Sequence, residues 1–184
     1  KILAASAAGL NLAQIASAST ILQPVTWRGY TLGAEGSVTL YTENRATAQA
    51  ALKHCCAEIR RLESLFSLYQ PNSELCQLNR TGRLDAPAPE WLTLRDAAQQ
   101  ANRLSYGLFD PTVQPLWQTY AQHFERHPNA SEGPSPAILA AALTRTGWQY
   151  VNYDAETIQF DQPNMQLTLN GIAQGFITDY ISTI

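Results

Sequence analysis

Apolar residues recur along this chain with two different periods, and the switches between them divide it into elements. Between residues 48 and 66, Leu52, Cys55, Ile59, Leu62 and Phe66 follow one another at steps of three and four. That spacing gathers them on one face of a long helix and leaves Lys53, Glu58, Arg60 and Arg61 elsewhere. A second helix is expected over about 90–105, with Leu94, Ala97, Ala98, Ala101 and Leu104 as its buried stripe; two prolines precede it and Gly107 follows. Upstream, "TWRGYTLGAEGSVTLYT" has strand propensity on both sides of a Gly-Ala-Glu-Gly turn, with Val38, Leu40 and Tyr41 carrying the second strand of a hairpin.

The pattern breaks over residues 120–134, rich in His, Asn, Ser, Glu and Pro, which reads as a mobile surface insertion. Ser135 then stands as an N-cap, Pro136 as a first helical residue and Gly147 as a stop, predicting a short helix over 136–146. "YVNYD", "TIQF" and "MQLTL" are three short strand candidates separated by turns, expected to form a meander. From Gly171 onward, Ile172, Phe176, Ile177, Tyr180, Ile181 and Ile184 return to helical spacing. The chain stops on this apolar helix without a capping glycine or a polar last turn, so it is expected to be the N-terminal part of a longer fold.

Composition narrows the class without deciding it. With 184 residues, 45% of them apolar and 15% charged, the chain can bury an ordinary core, and one principal domain is expected over 23–184. A net charge of -3 with scattered arginines offers no basic stripe, which excludes nucleic acid as an expected partner. Residues 2–27 carry no charged side chain, and Lys1, an apolar run and a small Ala16-Ser17-Ala18 site follow in the order of a secretory signal. Residues 1–22 are therefore expected to be the remnant of an export signal, with a periplasmic or exported protein as the consequence. "KILAASAAG" is similar to the segment after the arginine pair of a twin-arginine signal, although that pair is absent. A membrane would be met only through a target protein or an uncleaved signal, because no later stretch reaches the roughly 18 apolar residues of a span.

Cys55, Cys56 and Cys76 make neither a disulfide framework nor a metal knuckle and read as buried or half-buried thiols. His123 and His127 are four apart, as helical zinc ligands can be. No acidic or cysteine motif accompanies them, and with His54 they read as ordinary surface residues.

Three segments could carry chemistry. A strand feeding through Asn170-Gly171 into a helix leaves backbone N–H groups facing the loop, a geometry that takes phosphate but also ends many ordinary strand-helix units. In "GLFDPTVQPLW", Asp110 before Pro111 can cap a turn or present a carboxylate to a polar ligand. In "FSLYQPNSELCQLN", a turn after the long helix places Tyr69 where its ring could pack on a ring system.

In this order, the three segments resemble motifs of the FAD:protein FMN transferases, and the resemblance extends from about Trp27 to the last residue. It implies an α+β fold with an antiparallel sheet and packed helices around a flavin cleft, its C-terminal part lying beyond this chain. It also implies a magnesium-dependent transfer of FMN from FAD to a threonine or serine hydroxyl of a target protein, with release of AMP. Carried onto this sequence, the implied flavin contacts are Leu32, Tyr69, Leu108, Phe109, Asp110, Thr168 and Gln174, and the implied metal contact is a main-chain oxygen at Gly171. The family's side-chain metal ligands, an Asp and a Thr, lie in the segment this chain lacks, so the chain as given is expected to be a truncated and inactive form. Many members carry Asp where Thr168 stands and Lys or Glu where Gln174 stands, so the implied contact here is neutral. Two other readings stay open: an exported flavin carrier without transfer activity, and a partner-binding domain in which the motifs are architecture.

Overall fold

The computed structural model describes residues 22–184; the expected export segment lies outside them apart from Leu22. Strands β1 (Gln23–Thr31) and β2 (Ala34–Thr42) form an antiparallel hairpin in which Thr31 faces Ala34. The turn is therefore Leu32-Gly33, one step earlier than the expected Gly-Ala-Glu-Gly. Both turn residues are left-handed, with φ of 49° and 79°, the geometry that matches a two-residue loop to the twist of its strands. Leu32 carries this strain while its side chain is buried and its amide donates to Glu63 Oε1 at 2.9 Å.

Helix α1 (Arg45–Phe66) starts where Asn44 Oδ1 accepts from the amides of Ala46 and Thr47. Its buried face holds all five apolar residues of the predicted stripe, joined by Ala48 and Leu65. Helix α2 (Glu74–Thr81) is capped by Ser73, whose Oγ accepts from Cys76 N, and ends on left-handed Gly82. Strand β3 (Arg83–Asp85) follows, then helix α3 (Glu90–Leu104). In α3 the buried residues are Trp91, Leu94 and Ala98; Ala97 is exposed and Leu104 is 74% exposed. Trp91 does what the predicted stripe assigned to its C-terminal end: its ring meets Phe66 edge-on at 5.2 Å and its indole N–H donates to Glu74 Oε2 at 2.7 Å.

A single helical turn at Pro111–Val113 leads into helix α4 (Gln114–Arg126). The expected insertion at 120–134 is thus corrected, because its first seven residues complete α4. Polar residues there line the exposed side of a helix, a face that composition cannot tell from a loop. Helix α5 (Pro136–Leu143) is shorter than predicted, and Ser135 makes no side-chain capping bond. Strands β4 (Val151–Tyr153) and β5 (Thr157–Phe160) pair with β3 in an antiparallel sheet ordered β3-β5-β4.

The third strand of the predicted meander does not form. Residues 165–169 bury Met165, Leu167 and Leu169 alternately, as a strand would, but no ladder receives them. The segment is held instead by Asn79, whose Oδ1 accepts from Leu167 N at 2.7 Å while its Nδ2 donates to Leu167 O at 2.8 Å. Helix α6 (Ala173–Ser182) then packs Ala173, Ile177 and Ile181 into the main core, and Phe176 stands edge-on to Phe66. Among the described residues no helix is long and apolar enough to cross a membrane.

Asn79 does for one residue what a neighbouring strand would do for several. Asn79→Ala strands both Leu167 backbone groups in the interior and is expected to cost about 2–3 kcal/mol. Urea denaturation with an unchanged m-value checks this; a loss below 0.5 kcal/mol would show that the segment is held by packing alone.

Candidate active-site cleft

Three elements converge at one end of the main core: the turn after α1, the loop between α3 and α4, and the junction into α6. Between them lies an open cleft of about 480 Å³, lined by Tyr69 and Leu68, by residues 108–111 with Val113, Gln114 and Trp117, and by Thr168, Asn170 and Gly171.

The α3–α4 loop is built from its own residues. At the end of α3 the chain turns through left-handed Tyr106 (φ 55°) and Gly107 (φ 85°), while Gly107 N returns to Asn102 O and Tyr106 N to Arg103 O. This is a helix ending that usually places glycine where Tyr106 stands. Phe109 is then fixed at both backbone groups: its N–H donates to Ser105 Oγ and its carbonyl accepts from Asn102 Nδ2, each at 2.8 Å. Asp110 is fixed by its side chain. Oδ1 accepts from Thr112 N at 2.8 Å and Thr112 Oγ1 at 2.6 Å, and Oδ2 accepts from Trp148 N at 3.1 Å. Thr112, fully buried, also accepts from Gly147 N at 2.6 Å. The Asp110 carboxylate is therefore an architectural tie as well as part of the cleft wall.

Across the cleft, Tyr69 N donates to the buried Ser67 Oγ, and Ser73 Oγ donates to Ser67 O at 2.6 Å. The Tyr69 ring remains 62% exposed, backed by the hairpin turn so closely that a Cβ at Gly33 would lie 2.5 Å from it. Its hydroxyl accepts from Asn170 Nδ2 at 3.4 Å. At the floor, Thr168 N donates to Pro111 O at 2.8 Å, which ties the last segment to the loop. A Cβ at Gly171 would come within 3.3 Å of the Phe109 ring, so this position keeps backbone close to aromatic. The amides of Ile172 and Ala173 both fold back onto Leu169 O, so two of the N–H groups at the start of α6 are already paired.

Of the candidate residues, Tyr69, Leu108, Phe109, Asp110, Thr168 and Gly171 line this one cleft. Two do not. Leu32 is buried in the core behind the hairpin turn, and Gln174 faces a separate groove between β2, α1 and α6. The lining also includes Gln114, Trp117 and Asn170, which were not among the candidates. Gln114 and Trp117 sit three apart at the start of α4, hence on one face, and the spacing after Pro111 carried that signal. Among the described residues no group of three or more His, Cys, Asp or Glu could hold a metal. Both oxygens of Asp110, the one carboxylate in the lining, already accept hydrogen bonds within the protein.

A model of the ApbE family matches residues 32–184. The chain belongs to the ApbE family. It is 25% identical over 155 residues to the FAD:protein FMN transferase of Chlamydia pneumoniae, covering 79% of this chain and 46% of that protein. It is 29% identical over 154 residues to that of Treponema pallidum, covering 78% and 41%. Its fold matches the flavin transferase ApbE of Vibrio cholerae with a TM-score of 0.76 at 22% identity, over 88% of this chain and 53% of that one. The apo flavinyl transferase ApbE of Pseudomonas stutzeri matches with a TM-score of 0.73 at 21% identity, over 89% and 53%. This ApbE-family chain thus spans less than half the length of the two named relatives, and the expected α+β architecture is that of the solved structures.

Asp110→Asn places an amide donor against either Thr112 or the Trp148 N–H. It is expected to cost about 1–3 kcal/mol of stability. Urea denaturation checks it, and an unchanged midpoint would show that the carboxylate serves a ligand alone.

Proposed function

We propose that the cleft belongs to an FAD:protein FMN transferase and holds the flavin side of FAD. The reading rests on one observation: residues from three separate segments, with the α3–α4 loop at their centre, line a single cleft in a chain of the ApbE family. The names of the relatives supply the activity. In the proposed reaction a threonine or serine hydroxyl of a target protein attacks the phosphorus on the flavin side of the pyrophosphate. The new bond joins that oxygen to the phosphorus of FMN, the bond from that phosphorus to the bridging oxygen breaks so that AMP leaves with it, and the hydroxyl proton passes to solvent. Positioning and charge neutralisation carry most of such a transfer.

Within this proposal the residues divide the work. Tyr69, Leu108, Phe109 and Trp117 present aromatic and aliphatic surface to a ring system. Asn170 and Thr168 offer neutral hydrogen-bonding groups beside it. Magnesium dependence is retained from the family resemblance, with the Gly171 carbonyl as one donor, but no step is assigned to the metal because the described residues do not complete its site. The neutral Thr168 and Gln174, where many members of the family carry charged residues, motivate a second reading, a flavin carrier without transfer activity. Export to the periplasm, by the twin-arginine route, is proposed on the sequence of residues 1–22 alone.

The test is to incubate the full-length protein with FAD, Mg²⁺ and an acceptor carrying an Asp-x-x-Ser/Thr-Gly-Ala-Thr-like segment, then weigh the acceptor. A gain of one FMN supports the transferase. FAD binding without that gain, where a related enzyme transfers, supports the carrier. Tyr69→Ala is expected to weaken FAD binding by about 1 kcal/mol, roughly fivefold; unchanged affinity would remove Tyr69 from the flavin site.

A further inference from the structure

The C-terminal end of α4 brings two imidazoles together. His123 lies in the last turn of α4, His127 is the residue that caps the helix, and their ring centroids lie 5.2 Å from each other. A divalent ion bound by both rings at Zn–N distances of about 2.0–2.1 Å, with a tetrahedral angle between them, holds the centroids about 5.2–5.3 Å apart. The pair already has that separation.

The second feature is the state of His123. Its Nε2 lies 3.0 Å from the carbonyl oxygen of Glu132, and a carbonyl can only accept. Nε2 therefore carries the proton, and in the neutral ring Nδ1 keeps its lone pair. Metal-bound histidines are commonly oriented in this way, one nitrogen donating to a carbonyl while the other ligates. His127 is exposed and its ring makes no hydrogen bond among the described residues.

We propose that His123 and His127 form a surface site for a borderline divalent transition metal such as Ni²⁺, Cu²⁺ or Zn²⁺, with water completing the coordination. Two imidazoles select these ions over Mg²⁺ and Ca²⁺, which take oxygen donors. The site is separate from the cleft and from any magnesium used in flavin transfer. A bound ion would fasten the end of α4 to the loop that follows it, because His123 is tied to Glu132 and His127 is the residue on which the helix ends. No bond to the protein is made or broken other than the ligand bonds.

The experiment is a calorimetric titration of the full chain with NiCl₂, repeated with MgCl₂. One equivalent of Ni²⁺ is expected to bind and Mg²⁺ to give no comparable signal. His127→Gln is expected to weaken Ni²⁺ binding tenfold or more, while His54→Gln leaves it unchanged; both side chains are exposed, and circular dichroism checks that each variant folds. The electron paramagnetic resonance spectrum of the Cu²⁺ complex is expected to show coupling to two imidazole nitrogens. Absence of Ni²⁺ binding, binding that survives His127→Gln, or a spectrum with one nitrogen or none each overturns the site. None of these readouts depends on FAD, so failure here leaves the flavin proposal intact.

Discussion

The carboxylate of Asp110 accepts three hydrogen bonds: two from Thr112 and one from the amide of Trp148, 38 residues away. Removing it would leave donors unsatisfied beside a threonine with no solvent exposure, at a cost of about 1–3 kcal/mol for each such group. Pro111, set between Asp110 and Thr112, offers its carbonyl to Thr168. The loop therefore fixes the segment that feeds α6. Asn79 grips the same segment one residue earlier. One carboxylate and one amide thus hold the segment that forms the cleft floor, with the helices supplying bulk around them.

What could be read from the sequence divides along the same line. The stripe of α1 was legible because helical periodicity is a local property, and Leu52, Cys55, Ile59, Leu62 and Phe66 are all buried as the spacing requires. The end of α3 misled because Leu104 continues the period just where the helix reaches solvent. Periodicity records a face but not how far the face extends beneath neighbours. The segment 165–169 shows the reverse case. Its alternation correctly marks Met165, Leu167 and Leu169 as buried, yet a strand is defined by its partner, and here the partner is one side chain. The polar half of α4 was hidden for a third reason: an exposed helical face and a loop share one composition.

Most of the candidate residues meet in one cleft because they sit in short runs whose conformation is set locally. Residues 108–110 are placed together by the helix ending at Tyr106 and Gly107. Trp117 enters because α4 begins within the same run. Gln174 fails to join them for a geometric reason: it follows the buried Ala173 on α6 and faces the groove beside α1 instead. Leu32 is excluded by burial, although its turn supports the Tyr69 ring through Gly33.

Charge decides which part of FAD these residues could hold. Asp110 is the one formally charged residue in the lining, and its oxygens already accept from Thr112 and Trp148. The lining contains no lysine or arginine to set against a pyrophosphate, and Thr168 adds a neutral group. An anion taken from water without a counter-charge is penalised heavily. An uncharged ring system is favoured by the same surface, since Tyr69, Phe109 and Trp117 lose unfavourable hydration on contact with it. Under the proposed flavin-transfer reading, the uncharged flavin ring is the part of FAD that this wall suits. Within the same proposal, a pyrophosphate would find no counter-charge in this lining, which holds no lysine or arginine.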